Sequence, residues 1–461
     1  MQYRIGQTAN PPFFCILWLR EDRLVAVSLL QFRAFSHRPS LTRMTSRICL
    51  VAAFVAVSVL VCGAASAASD PQPAVLPALP EPMTFYVVKG APDSCGRGCD
   101  SWIEAEGQIV SSTAGRFKVF FDQVQDRNLP IYLASPGGNL GQAIVMGTIL
   151  HAKSTIARVG RTLVRECGFE AQDSDVCVRL KQSGRELHGD LFTGGATCAS
   201  ACPFVFAGAA VHEVAPDAVL AVHSPKILFK PRAVEMEPSA MVAAEERGVD
   251  RADRMVAVYL AKVGIDAGLL EVIKTVRNED IHVLTREEID RFGFDRREFV
   301  ETPWTFENDK LSIMHKVAVV RKPGETSFRL LQWRVVCFDT DRFVLDFQRP
   351  IPAEGLASVS IAHSGASAVY FNGPTRGPSI ERWNMGLIRS RLDALVNHSE
   401  IEIIETSVAA DGRLAPRAIK LSNEGWAGAI KTLLVSCPLS KGDLMIQMSS
   451  QAFRSGDTAA K

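Results

Sequence analysis

The apolar positions change period along the chain and divide it into elements. Trp102 to Ile109 reads as a strand. Ser111 and Ser112 can cap a helix carrying Phe117, Phe120, Phe121 and Val124 at i, i+3, i+4 and i+7. Leu129 to Ala134 is a short apolar strand that runs into the turn Ser135-Pro136-Gly137-Gly138. A second helix follows with Leu140, Ile144 and Ile149 on one face, and Ser154 to Val159 is the next strand. Strand, helix and strand at these lengths make a βαβ unit and predict a parallel sheet with right-handed crossovers. Residues 161–195 are polar, hold Cys167 and Cys177, and read as an insertion. Cys198 to Ala210 as helix and Ala218 to His223 as strand give a second βαβ-like segment. Residues 238–263 form a long amphipathic helix, whose Met241, Val242, Met255, Val258 and Tyr259 are assigned to core or a subunit contact.

After Pro303 the texture changes. Short β-branched or alternating runs around Val317, Arg334, Phe343 and Glu400 predict a β-rich domain, closing with a helix from Trp426 to Leu434 that leads into Cys437. The fold class is therefore α/β, with a core of stacked βαβ units over 85–304 followed by a smaller β-rich C-terminal domain over 305–449 and a disordered tail over 450–461.

The region before the core has its own pattern. Met44-Thr-Ser-Arg precedes an apolar run from Ile48 to Cys62 and then Gly-Ala-Ala-Ser-Ala-Ala. A basic start, a short apolar stretch and a small-x-small end are the parts of a secretory signal peptide over 44–67, with cleavage after Ala67. The run is shorter than the roughly 20 apolar residues a span needs. This predicts a periplasmic or secreted protein, tethered to the membrane only if uncleaved. Residues 1–43 read as an over-extended gene start, or else as a leader of unknown role, and 68–84 as a Pro/Ala-rich linker.

Composition narrows the partners. The 461 residues carry a formal net charge of +1, so no basic excess points to nucleic acid. Downstream of Ala67 the cysteines number eight, an even count that suggests disulfides in an oxidising compartment. Proximity pairs Cys95 with Cys99 and Cys167 with Cys177; Cys337 and Cys437 are natural partners. No His stands at finger-like spacing beside the Cys-x3-Cys pairs, so neither a metal nor another cofactor is expected.

Three elements of the core carry candidate chemistry. Pro203 places a helix start at or just before Ser200, where backbone N–H groups and the positive helix end would favour an oxyanion. His223 ends the apolar strand Val219-Leu-Ala-Val, at the rim where α/β folds bind ligands, and can act as a general base. Gly137 and Gly138 permit an unusual turn that exposes amides. Taken singly, Ser200 is equally an ordinary helix cap, His223 a local hydrogen-bonder, and the glycine turn a common connection.

Together these segments resemble the Clp protease proteolytic subunit and signal-peptide-peptidase-type enzymes of the crotonase superfamily. Ile131-Tyr-Leu-Ala-Ser-Pro-Gly-Gly resembles the family's Ser-Pro-Gly-Gly turn, Cys198-Ala-Ser-Ala-Cys its nucleophile segment, and Ala221-Val-His-Ser-Pro its base segment. Thr285-Arg-Glu-Glu-Ile-Asp-Arg-Phe-Gly-Phe resembles its closing helix. The resemblance implies Ser200 as nucleophile, His223 as base, and an oxyanion hole from Gly138, with Gly137, and the Ala201 amide. The family's third residue, an Asp, falls by ungapped counting on Arg277, which cannot serve; a shift of one to three residues brings in Asn278 or Asp280. Cys198 and Cys202 bracket Ser200, but a disulfide within a regular helix would be strained.

Three functions remain open. The first is an exported serine hydrolase, a peptidase acting through an acyl-enzyme on Ser200. The second is a binding or scaffold protein of the cell envelope on the same fold with decayed chemistry. The third is stabilisation of an acyl-thioester enolate, against which export argues. Outside the cytoplasm there is no ATP-driven unfoldase, so the substrate expected is a loose peptide or an unfolded protein segment. A homo-oligomer is a further expectation, and the C-terminal domain implies a partner the sequence does not identify.

Overall fold

The computed structural model describes residues 82–439, apart from 125–127, 227–236, 309–311, 322–323, 352–355, 363–367, 397 and 409–410. The expected signal peptide, the segment before it, most of the Pro/Ala-rich linker and the tail lie outside the described residues. The described chain is mixed α/β with several sheets. Among the described residues no helix is long and apolar enough to cross a membrane.

The core begins with β1 (Thr84–Lys89) and β2 (Ser101–Glu106), an antiparallel pair. Helix α1 (Thr113–Val124) then crosses to β3 (Ile131–Ala134), and α2 (Leu140–Ala152) crosses to β4 (Ile156–Val159). Strands β2, β3 and β4 are parallel, as the strand–helix–strand pattern requires. Phe117 and Phe121 of α1 are buried one turn apart, each contributing about 1.5–3 kcal/mol by removal from water. On α2 the fully buried face is Ala143, Met146, Gly147 and Leu150, while Leu140, Ile144 and Ile149 flank it partly buried. Met146 and Leu150 thus fill the contact, while Ala143 and Gly147 let the helix approach closely.

Residues 161–195 are more than an insertion. They contain β5 (Arg161–Val164), α3 (Asp175–Lys181) and β6 (Leu187–Phe192), and β6 pairs parallel with β1. The seven-stranded sheet therefore runs β5-β6-β1-β2-β3-β4-β8, closing with β8 (Val211–Glu213). The polar sequence hides this because α3 packs through a buried ion pair, Lys181 Nζ to Glu106 Oε1 at 2.6 Å, alongside only a few apolar residues such as Cys177 and Leu180.

A three-stranded sheet sits at the end of β3. It consists of β7 (Thr197–Ala199), β9 (Val219–Val222) and β10 (His282–Val283), in the order β10-β9-β7. Ser135 hands the first sheet over to the second: its N–H donates to Thr197 O at 2.7 Å and its carbonyl accepts Ala199 N–H at 2.9 Å. Between β7 and β9 lies the short helix α4 (Cys202–Phe206). Here the structure corrects the expectation of a helix from Cys198 to Ala210. Cys198 is in a strand, and the helix starts two residues after Ser200, whose φ of 60° is incompatible with a right-handed turn.

Helix α5 (Pro238–Val263) has the expected length, but its buried side is Ala252, Val256, Tyr259 and Leu260. Met241, Val242, Met255 and Val258, assigned to core or subunit contact, are exposed on this chain. Tyr259 OH donates to Phe204 O at 2.7 Å and ties α5 to α4. The core ends with α6 (Gly268–Thr275) and α7 (Arg286–Phe292), the latter opened by a capping box between Thr285 and Glu288.

A second hydrophobic core is built from Trp304 to Cys437. Its larger sheet joins Phe299–Glu301, Ser312–Arg321, Phe328–Cys337, Arg342–Pro350, Ile380–Ile388 and Asn372–Arg376, all antiparallel. A four-stranded sheet, including Glu400–Val408 and Leu414–Ser422, shares that core with the helix Trp426–Ser436. The strand Phe299–Glu301 lies before the sequence boundary at 304 yet belongs to this sheet. Cys337 and Cys437 form a disulfide across 100 residues, a loop whose closure is worth roughly 4–5 kcal/mol in the chain-entropy model.

Candidate active site

The turn after β3 is built around Ser135. Its buried hydroxyl donates to Gly107 O at 2.7 Å and accepts Gly137 N–H at 3.1 Å. Gly137 and Gly138 follow with φ of 95° and 131°, values that L-residues with a Cβ rarely adopt. A Cβ on Gly137 would fall 2.5 Å from Ala199 O, 2.6 Å from Ser200 Cβ and 2.7 Å from Ala201 N. One on Gly138 would fall 2.2 Å from Ile109 O. The glycines therefore let two backbone segments touch, and one of these segments carries Ser200. Asn139 then caps α2, its Oδ1 accepting Gln142 N–H at 3.0 Å.

Ser200 stands between β7 and α4. Its N–H donates to Ala221 O at 2.9 Å, pinning it to β9, and its φ of 60° is left-handed. Such a conformation costs a non-glycine residue about 1–3 kcal/mol and turns the side chain off the strand line. Cys198 and Cys202 on either side form a disulfide. The objection from helix geometry does not apply, since only Cys202 is helical.

His223 follows β9 directly. Its Nδ1 lies 2.8 Å from Ser224 O. A carbonyl oxygen only accepts, so Nδ1 carries the proton, and in the neutral ring Nε2 keeps its lone pair. Ser224 is itself fixed, its N–H donating to Val276 O at 3.0 Å.

Ser200, Ala201, His223 and Gly138 line one cavity of about 650 Å³. Its walls are apolar, from Ile109, Leu140, Phe204, Val256 and Ile273, with Lys226, Arg251 and Asp253 also lining it. Among the described residues no protein acceptor takes the N–H of Gly138 or of Ala201. Gly137 does not line this cavity, and its N–H is already given to Ser135. Two of the three amides assigned to an oxyanion hole thus belong to residues that line the cavity and are uncommitted, and the third is occupied.

The candidate third residues lie elsewhere. Asn278 and Asp280 are exposed in the turn after α6, and Asp280 Oδ2 accepts Arg277 Nε–H at 2.8 Å. Among the described residues neither bonds His223, and Ser200 Oγ makes no hydrogen bond to His223. The position a carboxylate would occupy at Nδ1 is held by the Ser224 carbonyl. A main-chain group leaves no mark in the sequence; Asn139 as cap and Lys226 after Ser-Pro were legible there but unassigned.

Cys95 with Cys99 and Cys167 with Cys177 are brought together as disulfides, as are Cys337 and Cys437. Among the described residues no group of three His, Cys, Asp or Glu side chains has a metal-binding arrangement.

No family model matches the chain, and no curated protein matches it. Solved structures similar to it include a mutant of the membrane-bound stomatin-specific protease 1510-N, at 16% identity over 45% of this chain and 77% of that one, with a TM-score of 0.25. A ClpP1 mutant from Listeria monocytogenes matches at 14% identity over 41% and 85%, with a TM-score of 0.26. Invasion associated protein B from Bartonella henselae matches at 14% over 30% and 96%, with a TM-score of 0.24. At these identities and TM-scores none carries an inference about what this chain does.

Proposed function

We propose that the protein is an exported serine hydrolase, a peptidase, in which Ser200 is the nucleophile and His223 the base. The observation that supports this is the shared cavity. A left-handed Ser200, a histidine with Nε2 available, and Gly138 and Ala201 with unpaired amides all line it. Attack of Ser200 Oγ on a peptide carbonyl passes its proton to His223 Nε2. The oxyanion that forms is held by the N–H groups of Gly138 and Ala201. Collapse expels the amine, which takes the proton back from His223, and water then releases the acyl group by the reverse sequence. Proton transfer requires Ser200 and His223 to close to about 3 Å in the substrate complex. The signal-peptide-like segment supports export, and the apolar walls suit side chains of a loose peptide or an unfolded segment.

The Ser224 carbonyl orients His223 but brings no full charge to stabilise an imidazolium. In a serine triad, replacing the carboxylate by an amide costs about 10⁴ in turnover by fixing the wrong tautomer. Here the Ser224 carbonyl keeps the productive tautomer, and what is lost is the charge that stabilises the imidazolium. Slow hydrolysis is therefore the expected phenotype. The same observation favours a second reading, a binding protein on this fold without chemistry. Labelling of the purified protein by a serine-directed fluorophosphonate, lost in Ser200→Ala and reduced at least hundredfold in His223→Ala, supports the hydrolase. Absence of labelling of the folded protein near neutral pH supports the binding protein.

A further inference from the structure

The disulfide between Cys198 and Cys202 closes a five-residue loop, Cys198-Ala199-Ser200-Ala201-Cys202. Both groups to which the proposed chemistry assigns a role on this segment, Ser200 Oγ and the Ala201 N–H, lie inside it. Both sulfur-bearing residues are fully buried, Cys198 in β7 and Cys202 at the start of α4. The loop is thus anchored at each end in a rigid element, and the covalent bond fixes the span between the ends.

Noncovalent restraint inside the loop consists of two hydrogen bonds to neighbouring segments and the close approach of Gly137. Ala199 N–H goes to Ser135 O at 2.9 Å and Ser200 N–H to Ala221 O at 2.9 Å. Ala201 N–H has no protein acceptor among the described residues, and its carbonyl accepts only Phe204 N–H, at 3.2 Å. Against this stands the left-handed φ of Ser200, a conformation that relaxes unless its surroundings hold it. Relaxation would turn the Ser200 side chain and swing the following peptide, which is the one carrying the Ala201 N–H.

Resting on the hydrolase reading for its consequence, we infer that the Cys198–Cys202 disulfide is a positioning device for the active site. It holds Ser200 left-handed and aims the Ala201 amide at the cavity, and neither is set when the bond is absent. Its role differs from that of Cys95–Cys99, Cys167–Cys177 and Cys337–Cys437, none of whose loops contains a residue lining that cavity, whereas the Cys198–Cys202 loop contains Ser200 and Ala201.

The test compares wild type, Cys198→Ala/Cys202→Ala and the control Cys95→Ala/Cys99→Ala. Fluorophosphonate labelling gives the inactivation rate and the probe's binding constant separately, and hydrogen-exchange mass spectrometry follows the peptide 197–204. The expected result is a fall of at least a hundredfold in inactivation rate with the binding constant within threefold. Exchange of the 197–204 peptide rises at least tenfold, and the control behaves as wild type. Unchanged exchange overturns the inference, as does faster exchange with unchanged labelling, which would make the bond a plain staple. If wild type is not labelled, the nucleophile reading falls alone, and the exchange comparison still decides whether the bond sets the loop. Should the alanine pair not fold, Cys198→Val/Cys202→Ala fills the buried space and serves the same comparison. Non-reducing peptide mapping of wild type overturns the inference directly if Cys198 and Cys202 are free thiols.

Discussion

The ring Nδ1 of His223 lies 2.8 Å from the carbonyl oxygen of the next residue, Ser224. That carbonyl is part of a chain of main-chain contacts, because Ser224 N–H is held by Val276 O at 3.0 Å. The orientation of the base therefore belongs to the backbone around β9 and the end of α6. No carboxylate side chain contributes to it among the described residues.

From this follows a prediction for the two residues that stand where a third triad member would be sought. Asp280→Asn and Asn278→Ala should change the fluorophosphonate labelling rate by less than about threefold. Asp280 is already engaged by Arg277, and both residues are exposed. A hundredfold loss in either variant would mean that this turn closes on His223 during the reaction.

The glycine turn gives a second. Gly137→Ala places a methyl group 2.5 Å from Ala199 O and 2.6 Å from Ser200 Cβ, at a φ of 95°. Neither contact is with the far end of a flexible side chain, so β3 and the Ser200 loop must move apart. The strained backbone alone costs about 1–3 kcal/mol. Urea unfolding should show at least that loss, and labelling should fall with it, since the turn and the nucleophile share the contact.

How much of this was legible in the sequence depends on what carries each feature. The βαβ units were legible because Phe117, Phe121 and the short apolar strands keep clean periods. So was α5, where Pro238 opens the helix and Gly264 ends it. The segment Cys198-Ala-Ser-Ala-Cys has no period at all, being small throughout. Its split into strand, left-handed turn and helix depends on partners outside the segment, Ser135 and Ala221, and on the bond between its two cysteines. Strands β5 and β6 read as insertion because their helix packs through Lys181 and a disulfide. Exposure of Met255 and Val258 was illegible for the opposite reason: a helical stripe shows which residues share a face and leaves open what covers it.

The backbone of Ser200 supplies a third prediction, on stability. At φ 60° a Cβ is a liability that glycine lacks. Ser200→Gly should therefore stabilise the fold by about 0.5–1 kcal/mol in urea unfolding, after allowance for the greater freedom of an unfolded glycine. Ser200→Ala keeps the Cβ and should be close to neutral. Both should abolish labelling. A Ser200→Gly protein less stable than Ser200→Ala would show that Ser200 is unstrained.

The last prediction concerns acid. Asp295 is buried, which by itself raises its pKa, but hydrogen bonds from Arg297 and Arg286 and their charges outweigh burial and bring it to about 2. Its Oδ2 accepts Arg297 Nη2–H at 2.6 Å and Val214 N–H at 3.0 Å, joining α7 to the loop after β8. An unfolded Asp titrates near 3.9. The folded pKa is the lower of the two, so the carboxylate stabilises the fold fully above about pH 4 to 5. That contribution is lost as pH falls through about 2. A shift of this size corresponds to about 2–3 kcal/mol. Asp295→Asn should accordingly be less stable than wild type by about that amount at pH 7. Towards pH 2 the gap should close, because wild type then also faces Arg286 and Arg297 with a neutral group. Urea midpoints of both proteins across this range measure it directly, and a difference independent of pH would show that the loss is one of packing and not of charge.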